Sequence, residues 1–316
     1  MIKGKTVGVV VPAHNEEKLI GEVVSTMPAF VDRIFIVDDC STDKTVDTVQ
    51  KLAQVKSGRV ILIQHEKNRG VGGAIVTGYK QARDEKIDVV AVMAGDAQMD
   101  PADLDRIVAP VIEGEADYVK GNRLFRGESW YMIPHHRYLG NSVLSLLTKI
   151  ASGYWHIADS QSGYTAISNV ALRTLDLDAI YARYGMPNDL LIKLNINNFR
   201  VRDVSIRPIY NIGEKSGIRL WNVVPKISWL LVKGFIFRMG NKYIIRDFHP
   251  LVFFYFLGIA LTPSGFFLGL YLLAVRLMGA GVTATSALFA AFLLISGLQS
   301  LFFAMWFDME YNKHLR

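Results

Sequence analysis

The chain has 316 residues, 51% of them apolar and 20% charged. That is enough for one large domain or two modest ones, and it excludes disorder, collagen or a simple coiled coil as the main class. A single cysteine, Cys40, excludes a disulfide scaffold and fits a reducing compartment. The formal net charge of +6 and the isoelectric point near 9.2 imply an anionic partner: nucleic acid, a lipid surface or a phosphorylated substrate.

The mean hydropathy of +0.23 averages over a split. Charge is spread through about the first 250 residues and nearly vanishes afterwards. Met1–Lys5 is basic and Val7–Val11 is apolar, but Pro12 ends a run too short for a signal peptide. A buried first strand is expected there, with the soluble part remaining in the cytoplasm. Val7–Val11, Ile34–Val37, Val60–Ile63 and Val89–Met93 are short, unbroken and β-branched, as strands buried on both faces require. Between them Leu19, Ile20, Val23, Val24 and Met27, then Val46, Val49 and Leu52, recur at helical spacing. The alternation predicts an α/β fold with a mainly parallel sheet and right-handed crossovers. Ligands of such sheets bind beyond the carboxyl ends of the strands, so the residues just after each strand carry the functional information.

After the first strand come Pro12, Ala13, His14, Asn15 and Glu16, with Pro12 expected to halt the ladder. After the second come Asp38 and Asp39, and paired carboxylates there need a cation or hydrogen-bond donors. A base or ribose of a nucleotide would supply such donors to Asp39, while Ser41 or Asp43 can cap the next helix. After the third lies Asn68-Arg69-Gly70-Val71-Gly72-Gly73, a glycine-rich turn whose N–H groups can approach a phosphate or a base. After the fourth lie Asp96 and Gln98, two apart and so on one side of an extended segment. Their hard oxygens suit Mg²⁺ or Mn²⁺ together with diphosphate oxygens. Asp100-Pro101 reads as a helix cap and first turn.

Residues 251–275 and 283–307 are two almost uncharged apolar runs, each longer than the roughly 20 residues that cross a bilayer as a helix. Arg238, Lys242 and Arg246 precede the first, and Lys313, His314 and Arg316 follow the second. Both termini are therefore expected in the cytoplasm. Residues 218–250 mix Trp221, Trp229, Phe235, Phe237 and Tyr243 with Arg219, Lys226, Lys233 and Arg238, as amphipathic helices at a lipid interface do. Because the cations flank membrane spans, nucleic acid is not the expected partner. The organisation reads as a cytoplasmic domain (1–217), interfacial helices (218–250) and a membrane hairpin (251–316), an integral membrane protein of the cell membrane or the endoplasmic reticulum.

The four strand-end stretches V-P-A-H-N-E-E, V-D-D-C-S-T-D-K-T, N-R-G-V-G-G-A and G-D-A-Q-M-D-P, in this order, resemble glycosyltransferase family 2. The branch that is most similar is that of the dolichyl-phosphate mannose synthases and other polyprenyl-phosphate glycosyltransferases. The resemblance covers about residues 5–217 and implies a glycosyltransferase A-type nucleotide-binding fold. It implies inverting transfer of a hexose from GDP-mannose or UDP-glucose to a polyprenyl or dolichyl phosphate. Transfer to a lipid hydroxyl, or an inactive nucleotide-binding scaffold, are the alternatives. The family's metal motif is Asp-x-Asp, and Ala94 stands at its first position, leaving Asp96 and Gln98 as metal ligands.

By the same resemblance Pro12, Ala13, Asn15, Glu16, Asp39, Gly70, Gly73, Asp96, Arg207, Lys215 and Ser216 bind the nucleotide sugar. Arg123, Arg137 and Ser162 hold the acceptor phosphate. Asp96, Asp159, Arg123, Arg137 and Lys215 serve the transfer itself, with Asp159 a catalytic or orienting carboxylate. Asn188 is expected to cap a helix. Self-association through the two spans is a further expectation.

Overall fold

The computed structural model describes residues 1–52, 55, 57–124, 135–207 and 220–316, without the side chains of 135–139, 141 and 220–223. The chain divides into two compact units, Met1–Phe235 with Leu315–Arg316, and Ile236–His314.

The first unit is built on a seven-stranded sheet of order β3-β2-β1-β4-β6-β5-β7. The strands are β1 (Val7–Ala13), β2 (Arg33–Asp38), β3 (Val60–Gln64), β4 (Val89–Val92), β5 (Tyr118–Asn122), β6 (Thr165–Ser168) and β7 (Val201–Ser205). The helices are α1 (Ile20–Ser25), α2 (Thr45–Gln50), α3 (Val71–Asp84), α4 (Leu104–Ile112), α5 (His135–Ser152), α6 (Asn169–Thr174), α7 (Met186–Ile196) and α8 (Leu220–Gly240), whose last residues enter the second unit. Pairing is parallel except along β6, which runs against both β4 and β5. The sheet is thus mixed but mostly parallel, and β1, β2, β4 and β5 all end on one edge.

Strand alternation sorts the core. Val7, Val9, Val11, Ile34 and Ile36 face one layer with Ile20, Val23, Leu104 and Ile107. Val10, Phe35, Val37 and Val90 face the other with Ala74, Tyr79, Leu190 and Leu194. Burying each Val, Ile or Leu stabilises the fold by about 1.5–3 kcal/mol relative to exposure. The order of the first four strands runs outward from β1 to β3 and then jumps back to β4 on the other flank of β1. That reversal opens a crevice between the ends of β1 and β4.

Pro12 does not stop β1. It lies in register with Val37, and Ala13 with Asp38. Pairing with β4 has already ended at Val10 and Val92, so the N–H that proline lacks has no strand to meet. The Pro12 carbonyl instead accepts the Gly95 N–H at 3.2 Å, which draws the β4 loop onto the β1 loop. Asp100 caps the turn Pro101–Asp103 by accepting from Ala102 N at 2.9 Å, as expected.

The second unit holds α9 (Leu251–Leu277) and α10 (Ala284–Tyr311), two helices long and apolar enough to cross a membrane. They pack closely because Gly265 lies against the Leu294 backbone and Gly297 against Thr262, where any Cβ would collide. Large apolar side chains such as Phe256, Phe267, Leu288 and Phe302 point outward.

Arg238, expected at lipid headgroups, and Lys242, expected as a cytoplasmic flank of the first span, are both buried. Arg238 makes a two-pronged ion pair with Asp308 of α10, Nη1–Oδ1 2.8 Å and Nη2–Oδ2 2.9 Å, with both side chains fully buried. Tyr243 donates to Asp308 Oδ1, Asn312 Nδ2 donates to the Tyr243 hydroxyl, and Lys242 Nζ donates to Asn312 Oδ1. The negative charge in α10 supplies what headgroups would otherwise supply. Burial, then the Arg238 charge, lowers the Lys242 amine to about 7.

Removing one partner strands the other charge. Asp308→Ala is expected to destabilise the hairpin by about 3–5 kcal/mol, measured by denaturant unfolding in detergent. Combining it with Arg238→Met should restore most of that loss, because an apolar pair of similar volume replaces the buried ions.

Candidate active site

The site is assembled where β1, β2 and β4 end. Three non-glycine residues there have left-handed backbone: Asn15 (φ 61°), Cys40 (φ 63°) and Ala97 (φ 57°), one after each strand. Such conformations are costly for side chains with a Cβ and gather at functional sites. A lattice of bonds holds them. Asn15 N donates to Ser41 Oγ at 2.9 Å, and Thr42 N donates to Asn15 Oδ1 at 2.8 Å. Glu16 N donates to Thr45 Oγ1 at 2.8 Å, and Glu17 N to Asp43 Oδ2 at 3.1 Å. Asp43 also accepts from Thr45 N at 3.0 Å at the start of α2, while Ser41 serves the Asn15 loop rather than the helix.

Asp39 is buried. Its Oδ1 accepts from His65 Nδ1 at 2.8 Å and Arg69 N at 2.7 Å, and its Oδ2 from Gly70 N at 2.7 Å. Burial pushes its pKa up, but the bonds from His65, Arg69 and Gly70 prevail and hold it below the usual carboxylate range. His65 Nε2 lies 2.9 Å from Thr77 Oγ1. His65 and Thr77 carry no motif that sequence reading singled out.

Gly70 N is engaged by Asp39, and Gly73 N donates to Ala182 O at 3.0 Å. Both N–H groups, expected to approach a phosphate or a base, have partners within the protein. The glycines are needed for another reason: Gly70 has φ 84°, and a Cβ on Gly70 or Gly72 would collide with the backbone at Tyr181 and Ala182.

Across the crevice, Asp96 Oδ1 accepts from Gln98 N at 3.1 Å, and the Glu16 side chain lies over Gly95. Glu16 is pushed up to about 7, first by burial and then by the charges of Asp96 and Asp43. Among the described residues, no three His, Cys, Asp or Glu side chains gather closely enough to hold a metal by themselves. Asp96 sits in a turn followed by the left-handed Ala97, so the extended segment expected to carry Asp96 and Gln98 on one side is not formed. Asp96 offers a hard oxygen beside Glu16, and Gln98 follows in the same loop. This donor set fits a divalent cation that also takes oxygens from a bound diphosphate.

A second cluster forms where β5 ends. Asp159 is fully buried and clamps Arg123: Nε–Oδ2 2.8 Å, Nη2–Oδ1 3.1 Å and N–Oδ2 3.1 Å. Burial raises the Asp159 pKa, but the Arg123 charge and its bonds outweigh that and hold it low. The Arg123 side chain remains 24% exposed. Lys120, fully buried beside them, donates to the Ser162 carbonyl at 2.8 Å, and burial lowers it to about 8. Asp203 is pushed up to about 6 by burial.

Ser162, expected at the acceptor phosphate, lies in the interior. Asn188 is not a cap: α7 is preceded by Gly185, and the Asn188 Oδ1 is buried, accepting from Thr148 Oγ1 and Gln161 Nε2. Arg207 is exposed, with its N–H on Asp103 Oδ2 at 2.9 Å. Arg137 lies in α5, with its side chain outside the described atoms, and Lys215 and Ser216 lie outside the described residues.

Comparison with known proteins agrees with this fold. The family described as Glycosyl transferase family 2 matches residues 8–175. A UDP-N-acetylglucosamine–dolichyl-phosphate N-acetylglucosaminyltransferase of Methanococcus voltae is 34% identical over 232 residues, covering 70% of this chain and 91% of the relative. A polyprenol monophosphomannose synthase of Mycolicibacterium smegmatis is 27% identical over 234 residues, covering 72% and 87%. Glucosyl-3-phosphoglycerate synthase of Mycobacterium tuberculosis, solved with Mn²⁺, UDP and glucosyl-3-phosphoglycerate, shares the fold: TM-score 0.54 and 22% identity, covering 75% of this chain and 81% of that one.

Two outcomes follow from the geometry. An acid whose folded pKa is raised loses stabilisation as pH climbs from its unfolded value of 4.5 to about 7. Glu16→Gln should therefore raise the thermal midpoint of the metal-free protein at pH 8, with a gain that shrinks towards pH 5. Ala97→Gly relieves a left-handed alanine and should stabilise the fold by up to about 1 kcal/mol in denaturant unfolding.

Proposed function

The chain belongs to glycosyl transferase family 2, and from that premise we propose that it transfers a hexose from a nucleoside-diphosphate sugar to a polyprenyl phosphate, with inversion, at a membrane surface. One observation carries the reading. Two charge clusters of different design share the carboxyl edge of one sheet: carboxylates suited to a cation with a diphosphate, and an arginine suited to a phosphate. The relatives named for dolichyl or polyprenyl phosphate support the acceptor class. Their names differ in the sugar, so the sugar is a property of each enzyme.

Donor and acceptor are both anions, and bringing them together is the main barrier. Asp96 and Gln98 are the residues to hold a Mg²⁺ or Mn²⁺, which when bound would neutralise charge on the leaving diphosphate. On the acceptor side Arg123 presents a guanidinium fixed by Asp159, a shape that matches phosphate oxygens. Arg137 is assigned to the same phosphate. A phosphate acceptor is already ionised at neutral pH, with a second pKa near ~6, and needs no general base. Asp159 is accordingly a positioning residue: buried, ionised and engaged by Arg123, it acts through that guanidinium.

A lipid hydroxyl as acceptor would need a base. Asp159 is enclosed, and Asp189 is ion-paired with Lys193, so the phosphate reading is favoured. Lys215, Ser216 and Arg207 are assigned to the donor side. We assign α9 and α10 to the bilayer, with both termini in the cytoplasm, so that the lipid acceptor reacts without leaving the membrane.

The test is incubation of the detergent-purified chain and Mn²⁺ with radiolabelled nucleotide sugars and dolichyl phosphate. A labelled lipid that releases its sugar in mild acid is expected. No labelled lipid, or an acid-stable glycoside, would reject the proposal. Asp96→Ala should reduce turnover by about 100-fold or more while the circular dichroism spectrum is retained. Asp159→Asn should raise the KM for dolichyl phosphate well above any change in donor KM, and an equal change in both would remove its assignment to the acceptor side.

A further inference from the structure

The bonding of Asp39 bears on which base the donor carries. An ionised carboxylate offers about four acceptor positions. Three are taken within the protein, two on Oδ1 by His65 Nδ1 and Arg69 N, and one on Oδ2 by Gly70 N. One position on Oδ2 remains.

The arrangement is locked from several sides. Asp39 N donates to Ala13 O at 2.8 Å, and His65 N donates to Asp38 O at 2.9 Å. The imidazole is held through both ring nitrogens, since Nδ1 must carry a proton to meet a carboxylate and Nε2 sits against Thr77 Oγ1 at 2.9 Å. The Thr77 hydroxyl itself lies 3.0 Å from Gly73 O. His65 and Asp39 are 8% and 3% exposed, so water supplies little compensation if a partner is lost.

We propose that this count of acceptor positions makes the chain a reader of uridine rather than guanosine diphosphate sugars, with His65 as the positioning residue that enforces the choice. The inference rests on the nucleotide-sugar reading above. Uracil presents a single ring N–H between two carbonyls, and one acceptor position satisfies it. Guanine presents an N–H and an NH₂ side by side, a pair that calls for both oxygens of a carboxylate. Here Oδ1 is saturated, so guanine would leave one donor unpaired in a buried setting. A buried donor without a partner is disfavoured more strongly than a missing contact. Asp39 stands at the end of β2 next to Ala13, on the crevice edge where the Asp96 loop also lies. A base against Asp39 is thus on the same edge as a diphosphate near Asp96.

The experiment is calorimetric titration of the full-length chain in detergent with UDP and with GDP, each with Mn²⁺. The expected result is UDP binding about tenfold or more tighter than GDP, the scale of one unpaired hydrogen-bonding group. Equal affinities, or tighter GDP, would overturn the proposal with no variant needed. His65→Leu, which frees one position on Oδ1, should narrow the preference several-fold. His65→Asn keeps an N–H toward Asp39 and should retain it, a difference that a merely structural histidine would not produce. An unchanged ratio in His65→Leu would remove His65 from the proposal. Binding of neither nucleotide by the wild-type chain would instead remove the glycosyl-donor reading itself.

Discussion

The crevice depends on one buried carboxylate. Asp39 gathers the β3–α3 turn through three donors and joins β1 through its own N–H. An ionised group in a dry place is tolerable only when its oxygens are met by donors, so these loops are held together or the charge is left exposed to an apolar surrounding. The requirement propagates. Gly70 gives its N–H to Asp39 with a positive φ, and α3 starts hard against Tyr181 and Ala182, where a Cβ on Gly70 or Gly72 would collide.

The two charge clusters are built on opposite principles. Around Glu16 burial, and then the like charges of Asp96 and Asp43, raise the acid to about 7, and a cation would relieve the repulsion. Around Arg123 the opposite charge is already present: Asp159, pinned by burial, fixes the guanidinium in one plane. The first cluster is poised to change state on binding, whereas the second is set in advance. Pre-positioning lowers the ordering cost that a long flexible side chain would otherwise add when an anion arrives.

Much of this was legible in the residues. Short β-branched runs gave away four of the strands because parallel strands are apolar on both faces, and the strand ends carried Glu16, Asp39 and Asp96 as α/β topology requires. The Pro12 expectation failed because proline's effect depends on which neighbour strand is still present at that height. Gly70 and Gly73 suggested a turn open to a phosphate or a base, and only the contacts of Gly70 and Gly72 with residues 181 and 182 and of Gly73 with Arg69 reveal the packing role of these glycines. His65, Thr77 and Lys120 were missed. Their partners are distant in sequence, and a lone histidine or lysine in a strand carries no periodic signal. Arg238 looked like a headgroup cation because Asp308, about 70 residues later, lies just past the second apolar run and draws no attention there.

That pairing has a consequence for assembly. Arg238 precedes Asp308 by 70 residues, so the guanidinium gains its counter-ion only once α10 has formed beside it. The packing of the end of α8 against α10 is therefore completed by the acid docking against the base.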